Sequence, residues 1–265
     1  MLEAAAIYLA LGCIAGLAAG LLGVGGGLII VPGLVLALKH QGFDDSMLMH
    51  LALGTSLASI AFTALASAWA HQRRGALDWR LVRGLSLGML LGSLTGALAA
   101  DRISSASLQV LFAAFELCMA VYLIVGAPAV RRALVRAISR LELFLVGGGI
   151  GALSAILGIG GGTLTVPYLC WRGRGIHQAV AVSAACGLPI ALAGALGYGW
   201  AGRDAPGLPA LATGYVYWPA WLGIIVTSLL FAPLGARLAH ALPVARLQRV
   251  FGMVLLFIAV SMLFI

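Results

Sequence analysis

Gly23-Val24-Gly25-Gly26-Gly27, followed by Ile30-Val31-Pro32, returns as Gly158-Ile159-Gly160-Gly161-Gly162, followed by Thr165-Val166-Pro167. The copies stand 135 residues apart. Glycine lets the chain leave helical φ/ψ, and each proline lacks an N–H and disrupts the helix bonding around it. Such a run inside apolar sequence breaks a helix at membrane depth. Two of them, at matching positions in two halves, point to the binding site of a transporter.

The surrounding composition sets the class. The chain of 265 residues is 62% hydrophobic and 9% charged, with mean hydropathy +1.09. Apolar segments near 47–70, 81–100, 106–127, 178–201, 213–236 and 247–265 are each long enough to cross a bilayer core of about 30 Å. A β-barrel would show alternating residues and a charged lumen, and neither is present. The fold expected is all-α: a polytopic transmembrane helical bundle. The net charge of +8 does not indicate nucleic acid, because the arginines sit in short loops between apolar segments. The four cysteines form no CxxC pair, no histidines pair at i, i+4, and there is no HExxH, so no metal or cofactor is expected.

The two halves match beyond the glycines. At an offset of 135, Gly16, Leu22, Val31 and Leu34 also meet identical residues; downstream the offset becomes 139, where Gly96, Gln109 and Phe112 meet Gly235, Gln248 and Phe251. Each half then holds four apolar segments, the first broken or re-entrant at its glycine run. The organisation expected is residues 1–126 as repeat 1, 127–142 as a cytoplasmic basic linker, and 143–265 as repeat 2. The loop over 202–214 is expected to form an external cap.

The sixteen basic residues test the orientation. Eight full crossings would leave nine basic residues on one side and seven on the other. If each first segment enters, breaks and returns to the same side, the split becomes thirteen to three. The positive-inside rule therefore favours inverted repeats with six crossings and two hairpin-like elements. Residues 4–22 are nonetheless long enough to span.

A helix that begins at a break presents free N–H groups and the positive end of its dipole, which suits an anion. The residues expected to bind it are Gly23, Gly25, Gly26 and Gly27 in the first half, and Gly158, Gly160, Gly161, Gly162 and Thr163 in the second. Thr55 and Ser56 open a hydroxyl stripe (Ser56, Ser59, Thr63, Ser67) that either lines a hydrated path or bonds its own helix. The corresponding region of the second half offers Ser183 and Cys186. Glu116 is the one acid deep inside an apolar segment. It is read as a proton-coupling group, against the plain alternative of a protonated acid bonded to a neighbouring helix. Its counterpart in the second half is Leu255. Gly84, Gly88, Gly92 and Gly96 form a ladder on one helix face, which points to close packing.

Gly20 to Pro32, Ala52-Leu53-Gly54-Thr55-Ser56-Leu57, the second copy at Leu157–Pro167 and Gly235-Ala236-Arg237-Leu238 together resemble the TauE/SafE sulfite-exporter family, over nearly the whole chain. The resemblance implies a multi-pass permease of the bacterial inner membrane for sulfite or an organosulfur anion. Ala184-Ala185-Cys186, where Thr-Ser is expected, departs from symmetric anion contacts. The partners expected are a small anion and the lipid bilayer, with a homo-oligomer left open. The rival readings are an anion channel, a permease for another small anion or carboxylate, a membrane enzyme, and a membrane partner without transport. An enzyme would need convergent acids, histidines or an activated nucleophile, and the apolar segments offer only Glu116.

Overall fold

The computed structural model describes residues 2–22, 26–73, 75, 77–125, 138–241 and 244–264. Gly23 and Gly25, and most of the 127–142 linker, lie outside the described residues. Among the described residues ten α-helices carry the fold: α1 (Leu2–Leu22), α2 (Gly27–His40), α3 (Leu48–Arg73), α4 (Trp79–Ala100), α5 (Ser105–Val125), α6 (Arg140–Ile156), α7 (Gly162–Trp171), α8 (Ile176–Ala201), α9 (Trp218–Ala241) and α10 (Val244–Phe264). A two-stranded antiparallel hairpin, β1 (Ala212–Thr213) and β2 (Val216–Tyr217), precedes α9. The result is an all-α polytopic bundle. Among the described residues, six helices are long and apolar enough to cross a membrane.

That set differs from the sequence expectation at two places. The span Glu3–Leu21 in α1 qualifies by itself, whereas the described apolar part of α10 is the shorter Gln248–Phe264. The apolar segment expected from residue 213 begins instead at Trp218, because Gly214 (φ 54°) turns the chain into the β hairpin. Pro219 then sits in the first turn of α9, where its missing N–H has no carbonyl to bond.

Local signals place the helix starts. Asp78 caps α4, accepting from the N–H groups of Arg80 (3.0 Å) and Leu81 (3.3 Å). Ser139 caps α6 through the N–H of Glu142 (3.0 Å). These caps replace intrahelical partners that the first turn lacks.

Side-chain contacts fix which ends lie together. Tyr8 near the start of α1 bonds Gln41, just past α2, at 3.0 Å, and Glu3 meets His40. α1 and α2 therefore run antiparallel, with their open end beside Tyr217, whose ring lies 6.3 Å from that of Tyr8. Met49 (bonded to Ser105), Ala100 (bonded to His50) and Asp101 (bonded to Tyr215) share this strand end of the bundle. In the second half Glu142, at the start of α6, accepts from Tyr168 and Arg172 of α7 and its C-terminus, each at 3.0 Å. α6 and α7 are thus also antiparallel. Their open end lies with the start of α4, where a Cβ on Gly84 would strike Leu143. This is the linker end, where Asp78 also bonds Gln178 of α8. Gln109 of α5 donates to the Met262 carbonyl of α10, so both Glu3 and Met262 lie at the strand end.

The glycine ladder explains the tightest contact. Cβ atoms on Gly88, Gly92 and Gly96 would collide with the backbone of Phe144, Gly148 and Ala152. α4 and α6 pack backbone to backbone, as small residues allow where lipid supplies no hydrophobic drive between helices. α1 and α9 repeat this arrangement, with Gly12 and Gly16 against Ile224 and Ser228, and Gly235 against Leu17. α3 and α8 cross at the centre, and their middles are almost entirely buried.

Candidate functional site

The second glycine run sits at the inner end of the α6–α7 pair. α6 ends at Ile156 and α7 begins at Gly162; the chain between is non-helical. Gly161 caps α7 at φ 73°, ψ −6°, and Gly26 caps α2 at φ 78°, ψ −11°. Both conformations are left-handed, which suits glycine and strains other residues. In each case the cap carbonyl accepts the first two helix bonds: Ile29 and Ile30 on Gly26, and Leu164 and Thr165 on Gly161. Two helix N-termini with the same local geometry therefore stand 135 residues apart.

The two runs touch. A Cβ on Gly27 would come within 2.7 Å of the Gly158 carbonyl and 2.9 Å of the Ile159 Cα. Ser56 of α3 donates to the same Gly158 carbonyl at 2.8 Å. α8 closes the other side, with Gly187 facing the Gly160 carbonyl. Of the expected site residues, Gly27, Ser56, Gly158 and Gly160 thus come together in the core, with Gly26, Gly161 and Gly162 beside them in the chain.

The hydroxyls divide into two groups. Ser56 is spent on Gly158. Thr55 accepts from the Tyr217 N–H at 3.0 Å, so β2 covers it from the strand end. Ser59 and Thr63 bond the carbonyls of Thr55 and Ile60 in their own helix. The stripe on α3 is therefore engaged by protein at Ser56, Ser59 and Thr63. In contrast, Ser154, Thr163, Thr165 and Ser183 are buried with no protein partner for their hydroxyl oxygens. Ser154 Oγ lies 3.4 Å from where a Cβ of Gly161 would be, at the N-terminus of α7. Thr163 and Thr165 belong to the first turn of α7. Ser183 is one turn before Gly187 on the same face of α8, and α8 packs against α7. Cys186 is fully buried in the same stretch.

Sequence reading missed Ser154 and Thr165. The signal was present in the comparison of the halves. At the offset of 135, Ser154, Thr163 and Thr165 replace Ala19, Leu28 and Ile30. The N-terminus of α2 is lined by buried aliphatic side chains, and that of α7 by hydroxyls.

Glu116 lies apart from this point. It is fully buried on the face of α5 that packs against α10, and neither carboxyl oxygen has a partner. Gln109 meets Met262 and Ala120 meets Gly252, which puts Glu116 level with Leu255. A cleft of about 520 Å³ runs along α4 between Trp79 and Leu90 and contains no residue of the site. Among the described residues no three His, Cys, Asp or Glu side chains group as metal ligands would.

A multi-pass helical bundle with two helix starts close together in its core fits a membrane transporter by class. The chain belongs to the sulfite exporter TauE/SafE family, which matches residues 8–262. It is similar to a probable membrane transporter protein of Haemophilus influenzae, 38% identical over 97% of each chain. A probable membrane transporter protein of Methanocaldococcus jannaschii is 27% identical over 86% of this chain and 81% of its own. One of Xylella fastidiosa is 28% identical over 94% and 91%. No solved structure matches.

Proposed function

We propose that the protein is a secondary transporter of sulfite or a small sulfonate, in the bacterial inner membrane, with the anion held at the N-terminus of α7. One observation carries this reading: four buried hydroxyls, Ser154, Thr163, Thr165 and Ser183, stand unpartnered near the start of α7, where a helix leaves its first N–H groups without intrahelical partners. Buried polar groups normally have partners. A bound oxyanion would supply them, and the dipole of α7 adds about 0.3–1 kcal/mol. Gly27 and Ser56 serve as the wall that positions Gly158.

Two helical hairpins opening at opposite ends, separated by three crossing helices, support inverted repeats. The linker end carries Arg73, Arg80, Arg83, Arg140, Arg172 and Arg174, which makes it cytoplasmic by the positive-inside rule. The strand end is then outside, where the β hairpin over Thr55 acts as the outer gate. No nucleotide motif is present in the sequence, so rocking of the two repeats is driven by gradients. An anion leaving a negative-inside cell gains about 2.3 kcal/mol per charge per 100 mV. Import requires a coupled ion, and Glu116 is the group proposed to carry a proton.

The test is thermal stabilisation of the purified protein by sulfite, thiosulfate, methanesulfonate, taurine and chloride, repeated on Thr163→Val. A bound ligand raises the melting temperature by mass action, and the variant should lose the shift. If no anion stabilises the protein and Gly160→Val leaves transport intact, the assignment is wrong. Flux that saturates with concentration separates a carrier from a channel.

A further inference from the structure

We infer that the site accepts monoanions and turns away dianions, so that sulfite would travel as hydrogensulfite and sulfonates with a second negative group would be excluded. The inference rests on the site proposed above and adds the charge state of its substrate.

The elements that build the site contain no cation near it. The sequence has no Lys or Arg between Lys39 and Arg73, between Arg140 and Arg172, or between Arg174 and Arg203. These intervals hold the start of α7, the end of α6 and the middles of α3 and α8. Arg172, past the far end of the ten-residue α7, stands about 15 Å along the helix from Gly162. Its guanidinium is already bonded to Glu142. Histidine is likewise absent from the middle of these helices: His50, His71 and His177 sit near their ends.

What remains is a set of neutral donors: hydroxyls of Ser154, Thr163, Thr165 and Ser183, and the first N–H groups of α7. Neutral dipoles attract an anion in proportion to its charge. The cost of dehydrating that anion in a buried place grows with the square of the charge. A second negative charge therefore costs more than these dipoles return. A cationic partner would be needed to offset it, and the described residues provide none there.

Methanesulfonate and methylphosphonate differ little in shape. The sulfonate is a monoanion throughout the working pH range, whereas the phosphonate gains its second charge at its second ionisation. Each is measured as a competitor of sulfite transport by the full chain in proteoliposomes, and as a stabilising ligand in detergent. Below the second ionisation the two should bind alike. Above it methylphosphonate should weaken by about tenfold or more relative to methanesulfonate. Equal binding above that ionisation overturns the charge inference and leaves the anion site standing. Failure of both compounds and of sulfite, at either pH, overturns the site and the inference together. Ser183→Ala should weaken both compounds without lowering the melting temperature of the ligand-free protein. If Ser183→Ala, Thr163→Val and Thr165→Val all bind methanesulfonate as the parent does, the neutral hydroxyls do not hold it and the inference falls.

Discussion

The Ser56 hydroxyl donates to the Gly158 carbonyl at 2.8 Å, joining α3 of the first half to the glycine break of the second. Both groups are buried, so each depends on the other. Ser56→Ala leaves the carbonyl without this donor and should cost about 1–3 kcal/mol. Chemical unfolding in a mild detergent reads the loss. Transport should fall as well, because the break is no longer pinned. A variant as stable and as active as the parent would show that Ser56 is not a strut.

Two glycines of neighbouring helices should respond in opposite senses. At Gly161 the left-handed backbone and the Ile190 side chain both oppose a Cβ, so Gly161→Ala should destabilise by about 1–3 kcal/mol. Gly149, mid-helix in α6, has nothing within 4 Å of its Cβ direction, and Gly149→Ala should stabilise by about 0.5–1 kcal/mol. Melting temperatures of the pair check both signs at once.

Glu116 has no partner in its α5–α10 contact, and its counterpart position holds Leu255. Among the described residues no other ionisable side chain faces it from α10 or α3: Arg249 is exposed near the start of α10, and His50 is bonded to Ala100 at the strand end. Glu116→Gln should fold normally and lose any dependence of transport on pH. Glu116→Leu should raise the melting temperature, since a buried polar group without a partner costs about 1–3 kcal/mol. A pH profile unchanged in Glu116→Gln would remove the proton role.

Tyr215 holds the β hairpin in place by donating to the Asp101 carboxylate at 3.0 Å. Burial first, and then this bond, push its phenol up to about 12. The protonated form is the one the fold favours. Its stabilising contribution is therefore complete below the ordinary tyrosine value of 10.0 and is lost as pH rises from there through about 12. Tyr215→Phe should lose about 1 kcal/mol and flatten this alkaline decline, as stability measured against pH will show. If the hairpin is the outer gate, the same variant should speed flux from the strand side.

The proposed inverted repeats predict a definite sidedness. Single cysteines at Asp45 and Asp204 should react with an impermeant maleimide added to intact cells, and one at Arg80 only after lysis. Labelling of all three from the same side would be incompatible with inverted repeats.

The sequence determined the class. A bilayer solvent demands long apolar helices, so composition and segment length led directly to a polytopic bundle. The duplicated glycine runs marked where helices begin at depth, because only glycine relaxes the left-handed cap that Gly26 and Gly161 adopt. Periodicity could not say which hydroxyls are spent. Thr55 and Ser56 looked available for an anion in sequence, yet one accepts from Tyr217 and the other donates to Gly158, residues 162 and 102 positions away. Those bonds depend on α3 crossing α8 and on the β hairpin folding over α3, which are contacts between distant segments. The same packing left Ser154, Thr163, Thr165 and Ser183 buried and unpartnered. Local sequence encodes where a chain can break, but which polar groups then lack a partner is decided only when every neighbour has been placed.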